Sequence, residues 1–291
     1  MPDIRPFLVT GVALGSIYAM SGLGLVVLFR ATSTVNFAYG AAGALGALVA
    51  WDLIGSGVPQ VVAWLACLVV STLLSLAYGM VVSPRLADRD LATKAIATVG
   101  FALLLLGFGL WYWPDIPRSL DLPTSDWGFR VLGVRVVGTK VLALVLVLMV
   151  GWGVTFFLDR TRTGLHMRAM ADDPEHADML GIRTDRVGAV AWAISGALGG
   201  LSGLLIADLV RLEVVALTFL VVSGLAAAVV GRLESLPLTA VGGVVIGVLE
   251  SVAAPFESIS RYRGVTPFVA AIAFIAWRQR GGLLRRRTAA L

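Results

Sequence analysis

The residues able to do chemistry are few in this chain. His166 and His176 are the only histidines, both within one charged stretch, and Cys67 is the only cysteine, set in an apolar run. No cysteine or carboxylate stands at a spacing that completes a metal site around the histidines. A single cysteine forms no internal disulfide and behaves as a small core residue in apolar surroundings. The sequence contains no Walker-type phosphate loop, no HExxH and no nucleophile elbow, so it offers neither an ATP site nor a hydrolytic centre. No catalytic residue, metal or cofactor is expected, and the chain is not read as an enzyme. Three features remain that could handle a solute or a partner. They are Asn36 near the start of a small-residue run, Glu250 inside an apolar segment, and a charged interruption over 159–186.

Composition decides what must position them. The chain has 291 residues, 58% hydrophobic and 14% charged, where soluble domains carry about 25% charged residues. Mean hydropathy is +0.90. That is too little charge to coat a soluble fold of this length, so apolar surface must face lipid. The net charge of +5 is concentrated in Arg278, Arg280, Arg285, Arg286 and Arg287. With no soluble basic domain to carry it, this tail reads as a cytoplasmic anchor rather than a nucleic-acid contact. The first apolar stretch, Phe7–Phe29, is too long for a cleaved signal and is expected to remain as a membrane helix.

Apolar segments of spanning length recur at Phe7–Phe29, Thr34–Trp51, Val61–Val82, Ala95–Trp113, Val141–Leu158, Val187–Ala207, Val214–Gly231, Leu238–Phe256 and Val265–Trp277. The expectation is an all-α membrane protein: one domain over 1–291, a bundle of about 8–9 transmembrane helices. The second segment opens with the polar run Ala31–Asn36 and is the one expected to be broken or re-entrant. Trp51, Trp111, Trp113, Trp152 and Trp277 near segment ends suit the membrane interface. Putting the Arg-rich tail inside and counting back puts 159–186 and Ser83–Lys94 inside and Pro114–Lys140 outside. Nine crossings leave the N-terminus outside; a re-entrant second segment leaves it inside. Glycines cluster as Gly40, Gly43 and Gly46, as Gly196, Gly199, Gly200 and Gly203, and as Gly242, Gly243 and Gly247. They fit close helix packing in lipid, or a mobile bundle lining a path.

The charged interruption has strong helix punctuation. Asp173 suits an N-cap, Pro174 the first helical position, and Gly181 the position after a C-cap. A preceding short helix is expected over Leu165–Ala171, with Thr163 as its cap. Met170, Met179 and Leu180 would be exposed apolar residues among charges. Two readings stand: a docking surface for a soluble partner, or an amphipathic segment lying on lipid. Asn36 likewise either offers its amide to a solute, with Gly40 admitting close approach and Phe37 and Tyr39 as an apolar wall, or caps its own helix. Glu250 either lines a path or reaches the headgroups, since a membrane-embedded carboxylate must face protein or water. Asp208 and Arg211, bracketing a connection, are expected to pair or stay wet.

At this point the sequence resembles a known family. The run Thr163-Gly164-Leu165, Arg168-Ala169, Asp173-Pro174-Glu175, Ala177 and Leu180-Gly181-Ile182 looks like the coupling loop of ABC-importer permeases of the branched-chain amino acid type. The stretch Gly15–Leu25, followed by Val35–Gly40, is similar to that family's opening signature. So are Ala226–Gly231 and Val241–Ser251. The matches run in one order over nearly the whole chain. The chain departs from the family at Arg232, Glu234 and Leu238, where a Gly-rich link is usual, and in its tail, Arg278–Leu283.

The resemblance implies a permease of the bacterial inner membrane with a cytoplasmic C-terminus. A separate ATPase subunit would dock on Gly164, Leu165, Arg168, Ala169, Asp173, Pro174, Glu175, Ala177, Leu180 and Gly181. An extracytoplasmic binding protein would deliver solute, and a second permease, itself or a paralogue, would complete the path past Asn36, Phe37, Tyr39, Gly40 and Glu250. The implied solute is a branched-chain or related hydrophobic amino acid. The alternatives are a urea or short-amide importer of the same type, and an ion-coupled transporter. The latter calls for paired intramembrane charges, where only Glu250 offers one. An intramembrane enzyme calls for a buried polar dyad that the sequence lacks.

Overall fold

The computed structural model describes residues 4–113, 116, 118–120, 122–131, 134–256 and 263–276. Among the described residues, six helices are long and apolar enough to span a bilayer: α1 (Arg5–Thr32), α3 (Gln60–Val81), α4 (Leu91–Tyr112), α6 (Gly138–Arg160), α9 (Thr184–Leu209) and α12 (Leu236–Ala253). Shorter apolar helices are α2 (Tyr39–Gly55), the pair α10 (Val214–Thr218) and α11 (Leu220–Val230), and α13 (Thr266–Ala276). One-turn α5 (Pro123–Asp126) and the hairpin β1 (Gly128–Val131) with β2 (Val134–Val137) lie between α4 and α6. α7 (Arg162–Asp172) and α8 (Pro174–Met179) lie between α6 and α9. This is the all-α membrane bundle expected, with one small hairpin outside the helices. Trp277 and the Arg-rich tail fall outside the described residues.

The first helix is the axis of the bundle rather than a peripheral anchor. α1 packs against α12, α9, α11 and α6, and its residues Ser16–Leu28 are all buried. What lets it sit there is the absence of side chains. Gly11 and Gly15 on α1 meet Gly243, Val244, Gly247 and Val248 on α12 so closely that a Cβ at any of these four glycines would strike backbone. Small residues four apart bring two backbones together in this way, and packing then replaces the hydrophobic drive that lipid cannot supply. Gly43 and Gly203 press α2 on α9, and Gly196 presses α9 on α3. The glycine clusters are thus seams between helices. The outer helices turn apolar faces outward, with Leu65, Leu104 and Leu148 exposed, as lipid contact requires.

Two expected segments are rearranged. Thr34–Trp51 yields a buried helix starting only at Tyr39; the break lies ahead of it, over residues 33–38. Ser33 closes α1 in a left-handed conformation, φ 49°. Non-helical backbone at membrane depth needs partners from the protein, and here it has them. The Phe37 N–H donates to Thr98 Oγ1 at 3.2 Å, Thr98 Oγ1 donates to the Val35 carbonyl at 2.9 Å, and the Ala38 N–H donates to Asn36 Oδ1 at 3.0 Å. The single span expected at Val214–Gly231 is broken at Phe219 into α10 and α11. Cys67 is buried and donates to the Gly200 carbonyl at 3.4 Å, the small core residue expected.

The loop between α4 and α6 is pinned across the opposite end of the bundle from α7. The Leu122 N–H donates to Asp208 Oδ1 at 2.7 Å, and Arg118 pairs by backbone with Leu212. The Arg118 guanidinium lies 4.8 Å from the Trp51 ring, within cation–π range. Asp208 therefore anchors a loop rather than pairing with Arg211 or facing water alone. Trp111 and Trp152 are exposed and Trp113 is buried.

Candidate functional site

Two places gather the functional candidates. The first is the α7–α8 corner. Thr161 caps α7, its Oγ1 accepting from the Gly164 N–H at 3.0 Å. The helix thus begins at Arg162 rather than Leu165, because α6 ends at Arg160 and Thr161 is the extended residue between the two helices, whereas Thr163 lies inside α7. Asp173 caps α8 as expected, its Oδ1 accepting the His176 N–H at 3.0 Å, with Oδ2 2.6 Å from His176 Nδ1. Gly181 adopts φ +76°. The Gly181 N–H donates to the Asp178 carbonyl and the Ile182 N–H to the Ala177 carbonyl, the paired bonds of a Schellman stop, which favours glycine.

The corner is fastened from below and bare on top. Gly164 is buried against the Phe157 carbonyl and Leu158 at the end of α6. Met167 and Ala177 are buried, and Ala169 packs on the core. Arg168 forms an ion pair with Asp159 at 3.1 Å. Met170, expected on the surface, is only 8% exposed, because its position on α7 turns it toward the bundle; Leu165, Met179 and Leu180 are 57%, 81% and 79% exposed. Pro174 and Glu175 lie in the first turn of α8. A smaller cavity of about 360 Å³ opens beneath the corner, between Ser33, Thr34, Asp88, Lys94, Asp178 and Asp185.

The second place is a cavity of about 640 Å³ at the other end of the bundle, walled by the first turns of α1 and the last turns of α9 and α12. Its lining is mostly apolar, with Leu14, Ile206, Phe219, Leu220 and Phe268 among the walls. Glu250 reaches into it from α12, and the Tyr18 hydroxyl donates to Glu250 Oε2 at 2.9 Å. Asn36, Tyr39 and Gly40 sit elsewhere, in the packed centre. Asn36 is buried and holds the turn into α2, Tyr39 Oη lies 3.2 Å from Ser202 Oγ, and Gly40 touches the Leu217 and Thr218 carbonyls. Phe37 lies on the same turn, held by Thr98. Sequence reasoning singled out Glu250 but not its partner Tyr18, which carries no signal until α1 and α12 are packed together.

A glycine-seamed bundle of apolar helices, a cavity at one end and an apolar-topped corner of two short helices between spans define a polytopic membrane protein. Residues 7–276 match the family described as the branched-chain amino acid transport system / permease component, and the chain belongs to that family. It is 27% identical over 307 residues to the high-affinity branched-chain amino acid transport system permease protein BraD of Pseudomonas aeruginosa, covering 98% of each chain. It is 26% identical over 275 residues to the corresponding LivH protein of Escherichia coli K12, covering 89% of this chain and 88% of that one. A solved structure of PsaBC from Streptococcus pneumoniae in complex with Fab aligns at TM-score 0.47 and 14% identity, covering 93% of this chain and 88% of that one. That likeness is too loose to carry an argument.

Proposed function

We propose that this chain is the inner-membrane permease of a bacterial ABC importer for branched-chain or related hydrophobic amino acids. The family match over residues 7–276 carries this reading, and the relatives' names supply the solute. ATPase subunits bind the α7–α8 corner, where Leu165, Met179 and Leu180 present apolar side chains. Gly164, Arg168, Ala169, Asp173, Ala177 and Gly181 hold that surface in shape, and Pro174 and Glu175 start its second helix. With this corner cytoplasmic, the N-terminal end of α1 faces outward and the C-terminus returns to the cytoplasm. A second permease, itself or a paralogue, pairs alongside, and an extracytoplasmic binding protein delivers solute to the outer end. The path passes Glu250 and the depth set by Asn36, Phe37, Tyr39 and Gly40.

ATP closes the partner ATPase dimer, and the motion enters through α7. Its short turn to α6 and the Arg168–Asp159 pair make α7 and α6 move together. Reconstitution with the cognate ATPases and binding protein tests this. ATP-dependent leucine uptake that vanishes when either partner is omitted is expected; uptake without ATPase, or of urea but not leucine, overturns it.

A further inference from the structure

We infer that the outer cavity is the transient seat of the solute in the membrane, and that Glu250, held by Tyr18, receives the solute's α-ammonium group. The inference rests on the amino-acid reading above and deepens it by assigning the recognising atoms. The volume, about 640 Å³, falls within the range of about 300–1,000 Å³ typical of small-molecule sites. The walls are branched and aromatic apolar side chains, Leu14, Ile206, Leu220, Phe219 and Phe268, which suits an aliphatic side chain. A carboxylate amid such walls is costly in the membrane and is kept where it meets a partner or a path. Tyr18 Oη fixes Oε2 at 2.9 Å, so the carboxylate is oriented before a solute arrives.

The other end of a zwitterion is also provided for. Thr10 lines the same cavity, but its hydroxyl donates to the Pro6 carbonyl at 2.9 Å and accepts from Lys140 Nζ at 2.8 Å, so it has no hydrogen left for an anion. Ser223 and Ser251 add hydroxyls to the lining. The Ser223 and Ser251 hydroxyls suit the α-carboxylate, and Glu250 suits the α-ammonium. A neutral short amide would gain no ion pair from Glu250, so the chemistry of this cavity favours an α-amino acid over urea.

The test uses the full transporter in vesicles, with ATP-driven uptake of radiolabelled leucine measured for wild type, Glu250→Gln, Glu250→Asp and Tyr18→Phe. Binding-protein-stimulated ATP hydrolysis is measured on the same preparations. Glu250→Gln is expected to lower uptake about tenfold or more, equivalent to about 1.4 kcal/mol, with stimulated hydrolysis within about twofold of wild type. Glu250→Asp keeps the charge and should retain most of the uptake, and Tyr18→Phe should fall between. Uptake by Glu250→Gln equal to wild type, or equal losses in Gln and Asp, overturns the inference alone. Wild-type vesicles that take up another solute but no α-amino acid overturn the proposed function, and this inference with it.

Discussion

Gly164 lies flat against the carbonyl oxygen of Phe157, leaving no room for a Cβ between α7 and the end of α6. The same carbonyl accepts from the Thr161 hydroxyl at 2.7 Å, so cap, turn and contact share one atom. On the proposed function, a push on α7 passes to α6 through this contact. Gly164→Val should lift α7 off this seat, since overpacking costs about 1–3 kcal/mol. ATP-driven uptake is expected to fall by about tenfold or more while the permease still purifies as a helical protein; unchanged uptake would remove the seat from the mechanism.

The α1–α12 seam should be the most sensitive packing in the bundle. Gly15→Val puts a branched side chain into the Val244 backbone. A loss of at least about 1–3 kcal/mol is expected, read as a lower melting temperature in detergent. Val245→Ala on the exposed face of α12 serves as the comparison and should shift melting little.

The turn between α11 and α12 stores strain. Arg232 and Leu233 both adopt left-handed conformations, φ 63° and 58°, at the point where the family usually has a Gly-rich link. Left-handed backbone costs an ordinary residue about 1–2 kcal/mol. The Arg232–Glu234 pair, 3.7 Å apart and partly exposed, offsets little of this. Arg232→Gly should therefore raise the melting temperature by a few degrees, whereas Arg232→Ala should not; a matching rise in both would point to the lost charge instead.

Asp90 caps α4, and its carboxyl is held below the usual carboxylate range by the Thr93 hydroxyl. A lowered folded-state value means its stabilising contribution is present above the unfolded value, about 3.9, and is lost as pH falls through the folded one. The difference in melting temperature between wild type and Asp90→Ala should be steady at neutral pH and shrink in acid. A difference that grows in acid would contradict the cap.

Much of this was legible from residue order, and the exceptions have physical causes. Apolar run length located the long helices because length is what a bilayer demands. Asp173 and Gly181 were legible because capping and left-handed stops are local chemistry. The start of α7 was misread because Thr161 and Thr163 are equally good caps, and the choice depends on where α6 lets go. Met170 looked exposed because one helical turn of phase is invisible before α7 docks. The break at Phe219 had no local signal, since every residue there suits a continuous span. The Tyr18–Glu250 bond joins residues 232 positions apart, which only packing of α1 on α12 could disclose.

On the proposed function, the ATPase subunit binds the bare top of the α7–α8 corner. Met179→Glu with Leu180→Glu puts charge on that surface, at two residues that are 81% and 79% exposed, and should not disturb folding. Co-purification of the cognate ATPase with this double variant measures the claim directly. The expected result is loss of the bound ATPase, with helical content and melting temperature equal to wild type. Full retention of the ATPase on the double variant would contradict it.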